Sequence, residues 1–243
     1  MVNFDSPRLI ADIGSTYARF ALEVAQNEFT HIASLRCADY LDFYSTVRAY
    51  LDTLTTVRIK HACVAIANPV AGDLVQMTNY HWQFSVEEMR QQLDFDTLVV
   101  VNDFTALAMA LPRLHGRQVR QIGGGMSNKQ SVIGLLGSGS GLGVSGLIPA
   151  GDGWISLGSE GGHTSFSPRN EREIAILRYA WKFFDHVSFE RLLSGPGLEL
   201  MYRALAEYAR VTAEPLSAPE ITRRALDSSD LVCADTLDAF CSL

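Results

Sequence analysis

The sequence offers little sulfur chemistry. Its four cysteines, Cys37, Cys63, Cys233 and Cys241, show no C-x-x-C spacing and no neighbouring His-x-x-x-His, so neither a zinc site nor a disulfide framework is indicated. Four reduced and mostly buried thiols are expected instead. Positive charge is also sparse: the formal net charge is −7, and no run of Lys or Arg is dense enough to neutralise several phosphates of a nucleic-acid backbone. A nucleic-acid partner is not indicated. No apolar run approaches the roughly 20 residues that span a bilayer, and the opening "MVNFDSPRL" lacks a basic segment followed by an apolar one. No membrane partner is expected, and a cytoplasmic location is the default. Only 19% of residues are charged while 47% are hydrophobic, which excludes a disordered chain and indicates a folded one with a real core.

Segments 8–13, 18–24 and 28–36 are rich in β-branched and aromatic residues and are separated by turn-like pieces, the pattern of an antiparallel meander. The first of them ends on a carboxylate, Asp12, followed by Gly14-Ser15-Thr16 as a hairpin tip. Leu41, Tyr44, Val47, Tyr50, Leu51 and Leu54 then recur at helical spacing. "HACVAIANPV" reads as a buried strand stopped by Asn68-Pro69. "FSVEEMRQQLD" reads as a helix opened by a Ser85/Glu88 capping box. "TLVVVNDFTALAMAL" is a buried strand ending on Asn102-Asp103 and running into a helix, so a second carboxylate stands at a strand tip.

A glycine-, serine- and asparagine-rich stretch places a domain boundary between residues 105 and 125. "SVIGLLGSGSGLGVSGLIP" reads as a second hairpin with a glycine-rich turn, the counterpart of the first. After residue 168 the chain is mainly helical, with capping-box spacing at Asn170/Glu173 and Ser217/Glu220. The closing "LVCADTLDAFCSL" is helical in pattern but shows no capping signal.

Turns built of Gly, Ser and Thr expose consecutive N–H groups that bind phosphate oxygens. A carboxylate beside them is repelled by phosphate but holds Mg²⁺ or its waters, and the metal bridges the two. That is the reading for Asp12 with Gly14, Ser15 and Thr16; the plainer alternative is an Asp that satisfies its own turn. "GSGSGLGV", with Gly137, Gly139, Ser140, Gly141 and Gly143, is a second such loop. No helix follows it, so a dinucleotide site is disfavoured. Asp103 suits a different task, accepting the proton of a hydroxyl that attacks phosphorus, with Asn102 holding a neighbouring hydroxyl. The alternative is that Asp103 merely caps the helix behind it. In "SEGGHTSF", Glu160 and His163 flank two glycines and offer the acceptors and donor that a polyol demands. Glu190, in a helix first turn, is unreadable from local pattern.

Together "ADIGSTYAR", "AIANPVAGD", "MTNYHWQFS", "VNDFTA", "GSGSGLGV", "SLGSEGGHTSF" and "LLSGPGLELMYRAL" resemble, in order and over nearly the whole chain, the bacterial glucokinase family with its D-x-G-G-T-N-x-R opening. The resemblance implies an α/β, two-domain actin-like ATPase (ribonuclease H-like) fold with a cleft between residues 1–110 and 111–243. It implies ATP and Mg²⁺ as cofactors, glucose as substrate, a homodimer, and transfer of the γ-phosphoryl to the 6-hydroxyl of glucose. Asp103 then corresponds to the catalytic base, and Asn102, Glu160, His163 and Glu190 to the glucose-binding groups. Asp12, Gly14, Ser15 and Thr16 form the first phosphate loop, Gly137 through Gly143 the second, and Asp12 reaches the metal through a bound water. Ser15 and Tyr17 depart from the family's glycine and asparagine. Family chains continue for several tens of residues beyond the last one here, so the fold is expected to be incomplete at the C-terminus. The alternatives are a catalytically impaired sugar-binding relic and an actin-like ATPase unrelated to sugars.

Overall fold

In a computed structural model, which describes residues 3–54, 57–77, 81–126, 128 and 130–243 (backbone only for 3–5), the chain forms two compact units, Met1–Gly124 and Gly125–Leu243. Residues 78–80 of the "MTNYHWQFS" segment lie outside the described residues.

The first unit begins with the expected meander, β1 (Asn3–Ile13), β2 (Tyr17–Ala25) and β3 (Glu28–Arg36), followed by α1 (Phe43–Leu51) and β4 (His61–Ile66). A short pair, β5 (Leu74–Gln76) and β6 (Gln83–Ser85), leads into α2 (Val86–Gln92), β7 (Thr97–Asn102) and α3 (Asp103–Ala110). The five-stranded sheet has the order β3-β2-β1-β4-β7, antiparallel across the meander and parallel from β1 through β4 to β7. This is the ribonuclease H-like arrangement of the actin-like ATPase fold.

Side chains alternate across a strand, so one face of this sheet is core and the other is not. Leu9, Ala11 and Ile13, Phe20 and Leu22, and Val64 and Ile66 pack against Phe43, Val47 and Tyr50 of α1. Phe20 stacks on Tyr50 at 4.8 Å and Phe43 on Phe84 at 4.2 Å between ring centroids. β4 and β7, expected as buried strands, are buried on one face only: Cys63 and Val99, on the opposite face, are exposed. The helical stripe is also shifted. Leu41 precedes the Asp42 cap of α1 and is exposed, while Phe43, Thr46, Val47 and Tyr50 are the buried positions.

At α2, Ser85 accepts from Glu88 N as expected, but the second acceptor is Asp73, which takes Glu87 N, rather than Glu88 in a reciprocal box. Of the cysteines, Cys37 and Cys233 are buried and Cys63 and Cys241 exposed, all four free, which corrects the expectation of mostly buried thiols.

The second unit opens with an antiparallel sheet, β8 (Ile133–Ser138), β9 (Leu142–Ala150) and β10 (Gly153–Ser159), so the expected hairpin is extended by a third strand. Five helices follow: α4 (Glu171–Ala180), α5 (Phe189–Leu192), α6 (Gly195–Tyr208), α7 (Ala218–Leu226) and α8 (Leu231–Ser242). Their core gathers Ile176, Leu177, Leu192, Met201 and Leu205. Asn170 caps α4, with Glu173 at the third helical position. Ser217 makes no such bond at α7. Glu220 is drawn instead to Arg223 and Arg224, and Ala218 N donates to Glu199 of α6. α8 does have a cap, Asp230, just upstream of the segment read as uncapped; it accepts from Val232 N and Cys233 N.

Candidate active-site residues

In the first unit β1 carries Asp12 to its end, on the face opposite the core. Asp12 faces Arg19 across the hairpin in strand register, and the Arg19 guanidinium donates to its carboxylate at 3.0 Å. The carboxylate therefore serves a cross-strand pair and not its own turn. Arg19 is the arginine of the D-x-G-G-T-N-x-R pattern, and its partnership with Asp12 is set by the hairpin register. The hairpin tip closes by Gly14 N donating to Tyr17 O at 3.0 Å, and Cys37 N donates to Thr16 O. Among the described residues nothing takes the N–H groups of Ser15 and Thr16, which are exposed.

β7 delivers Asn102 and Asp103. Asn102, not Asp103, is the cap of α3: its side-chain oxygen accepts from Thr105 N at 3.1 Å. Its amide nitrogen donates to Asn68 O and to Asp103 Oδ1, at 3.3 and 3.0 Å. Asp103 Oδ1 also accepts from Phe104 N at 2.9 Å. Both fixed contacts use the same oxygen, so Oδ2 accepts from none of the described residues. Partial burial pushes the Asp103 carboxyl above its ordinary range; the Phe104 N–H pulls against that, and the charge of Asp12 adds to it. A held carboxylate with one open oxygen and a raised pKa is suited to accepting a proton.

In the second unit the glycine loop joins β8 to β9, with Gly137 opposite Gly143 in register. Gly139 N donates to Gly141 O at 2.8 Å, closing the turn around Ser140. Three further bonds stitch this hairpin to the helices: Gly195 N to Gly139 O at 2.9 Å, Ser138 Oγ to Leu193 O at 3.0 Å and Leu142 N to Glu190 Oε2 at 3.1 Å. The last was illegible in sequence, because donor and acceptor lie 48 residues apart.

Glu160 and His163 bracket a 3₁₀ turn over Gly161–His163. A Cβ at Gly162 would stand 2.3 Å from Leu142 O, so only glycine lets this turn rest on β9. Backbone bonds then place the turn beside α5: Phe166 N donates to Val187 O, and Phe189 N to Thr164 O. His163 consequently lies between two acids, its Nε2 3.6 Å from Glu160 Oε2 and its Nδ1 3.7 Å from Glu190 Oε1. Glu160 and His163 are well exposed, and Glu190, at 30% exposure of its side chain, is the recessed member. Two carboxylates and an imidazole, spaced and open to solvent, match the alternating donors and acceptors of a polyol.

The sequence model of the Glucokinase family matches residues 9–243. The "Bifunctional protein glk" of Burkholderia orbicola is 55% identical over 241 residues, 98% of this chain but only 37% of that protein's own length. The "Glucokinase" of Chromobacterium violaceum is 48% identical over 237 residues, 98% of this chain and 68% of that protein. Among solved structures, the glucokinase from an Antarctic psychrotroph superposes with a TM-score of 0.84 at 37% identity, covering 98% of this chain and 76% of that one. The ordered motifs, the sheet topology and these matches agree, and the chain belongs to the glucokinase family.

Proposed function

We propose that the chain catalyses ATP-dependent phosphorylation of glucose at its 6-hydroxyl. In that reaction the hydroxyl oxygen forms a bond to the γ-phosphorus while the bond from phosphorus to the leaving ADP oxygen breaks, and the hydroxyl proton passes to a base. Asp103 is that base, and its fixed Oδ1, open Oδ2 and raised pKa are the observation that carries the reading. Asn102, held at its own helix start, binds a sugar hydroxyl beside it. Glu160, His163 and Glu190 grip the others, and a sugar lacking one leaves a polar group unpaired, which is how such a site discriminates.

The N–H groups of Ser15 and Thr16 and the turn around Ser140 serve the phosphates. Mg²⁺ neutralises phosphate charge when bound. A single exposed carboxylate such as Asp12 fits the usual way this ion is held, through one or two carboxylates, waters and phosphate oxygens. The family resemblance extends the proposal to a homodimer, and the sequence pattern extends it to a cytoplasmic location.

The test is MgATP-dependent formation of glucose 6-phosphate by the purified 243-residue chain, read through a coupled dehydrogenase. Product formation that falls by ~10²–10⁴ in Asp103→Ala, with glucose still bound in a titration, is the expected outcome. Folded protein that binds glucose and forms no product would instead support the sugar-binding reading.

A further inference from the structure

Gly141 stands in the loop that the sequence pattern gives to phosphate, yet its missing side chain faces Glu190, which the proposed function gives to the sugar. A Cβ built there would lie 2.5 Å from Glu190 Oε2 and 3.0 Å from Glu190 Cδ, closer than such contacts allow. Its backbone is not in the left-handed region, so the carboxylate, and not the turn, is what requires glycine. The next residue, Leu142, donates its N–H to that same oxygen at 3.1 Å. The other oxygen, Oε1, faces His163. Glu190 is thus seated on the loop by one oxygen and turned toward the polyol-binding group by the other. Gly139, two residues earlier, behaves differently: a Cβ there would meet nothing within 4 Å.

We propose that Gly141 is a positioning residue for the sugar, acting through Glu190, so that the second phosphate loop sets glucose affinity as well as phosphate contact. The inference rests on the glucose-kinase reading and assigns the loop a task on the sugar side. A methyl group at position 141 meets the far end of a flexible side chain rather than backbone, so the fold accommodates it by displacing the carboxylate. The loop itself stays in place, because the Gly195-to-Gly139 and Ser138-to-Leu193 bonds do not involve Glu190. The displaced carboxylate loses the Leu142 N–H and its approach to the sugar.

Glucose and MgADP are titrated separately, by calorimetry, into the wild-type chain, Gly141→Ala, Glu190→Asp and the double variant. Gly141→Ala is expected to melt as wild type does and to raise the glucose Kd roughly tenfold or more, the loss of a charge-assisted hydrogen bond, while the MgADP Kd stays within about twofold. In the Glu190→Asp background, where the shorter side chain leaves room for the methyl, the same substitution should change the glucose Kd by less than about twofold. Wild type that binds glucose, with Gly141→Ala binding it equally well, overturns this inference and leaves the kinase reading standing. So does an equal weakening of MgADP, the full effect persisting in Glu190→Asp, or a Gly141→Ala chain that does not fold. Wild type that binds no glucose overturns both.

Discussion

Two helix starts in this protein use the same local device and end with opposite results. At α3 and at α4 an asparagine caps the helix, Asn102 accepting from Thr105 N at 3.1 Å and Asn170 from Glu173 N at 2.9 Å, and an acid follows in the first turn. At α4 that acid, Glu173, is almost wholly buried and fully occupied. It accepts from Arg169 N, the Arg169 guanidinium and the Asn170 amide at 2.6, 3.2 and 2.9 Å. At α3 the acid is Asp103, whose contacts converge on one oxygen.

Burial raises the pKa of both carboxyls, and what opposes burial decides the outcome. Around Glu173 the Arg169 N–H, the guanidinium and Asn170 win, so the carboxyl is held below its ordinary range. Around Asp103 burial prevails and the Asp12 charge reinforces it. Glu173 accepts on both carboxylate oxygens, while Asp103 keeps one open, as its proposed role of proton acceptor requires.

The largest effect that would break this comparison is on turnover. As the proposed base, Asp103 must be ionised to accept a proton, so kcat/KM should fall about tenfold per pH unit on the acid side of its pKa, with that limb lying above the ordinary carboxylate range. A pH–rate profile that is flat down to ordinary carboxylate values would remove Asp103 from the role of base.

Next in size is Glu173→Gln. It should cost about 1–3 kcal/mol by leaving the Arg169 and Asn170 donors poorly matched, and each kcal/mol lowers Tm by about 2–4 °C in a chain of this size. The sign with pH follows from the depressed folded pKa. The stabilisation by Glu173 is complete above the unfolded-state value and disappears as pH falls through the folded one, so the two melting curves should converge on acidification. Curves that stay parallel would make Glu173 a packing residue only.

Asp103→Asn should have the smallest effect, and of opposite sign. Its folded pKa is raised, so the contribution of Asp103 to stability is present below the unfolded value and lost as pH rises through the folded one. Near neutral pH the variant should melt higher than wild type, by no more than about 2 °C. A lower melting temperature at neutral pH would show that Asp103, like Glu173, is held for the fold.

Local chemistry was legible where neighbours in sequence are neighbours in space. The three-strand meander, the glycine turns and the Asn170/Glu173 start were all readable, because strand alternation and helix capping act over two to four residues. The same spacing failed at Ser217/Glu220, where hydrogen bonds from Arg223 and Arg224 hold the Glu220 carboxyl down to about 2 and draw it away from the cap. It failed again for Cys63 and Val99, since strand pattern does not say which faces of a sheet the rest of the chain covers.

The sequence by itself determined which residue types stand at strand tips and turns: Asp12, Asn102 and Asp103, the two small-residue loops, and the Glu160/His163 pair around its glycines. Only the tertiary structure decided how those groups are tuned. Arg19 meets Asp12 across a folded hairpin, burial and the charge of Asp12 act on the Asp103 carboxyl, and Glu190 is seated against Gly141 and on Leu142, 48 residues away in the chain. Burial and charge act through space, and a local pattern of residues carries no record of either.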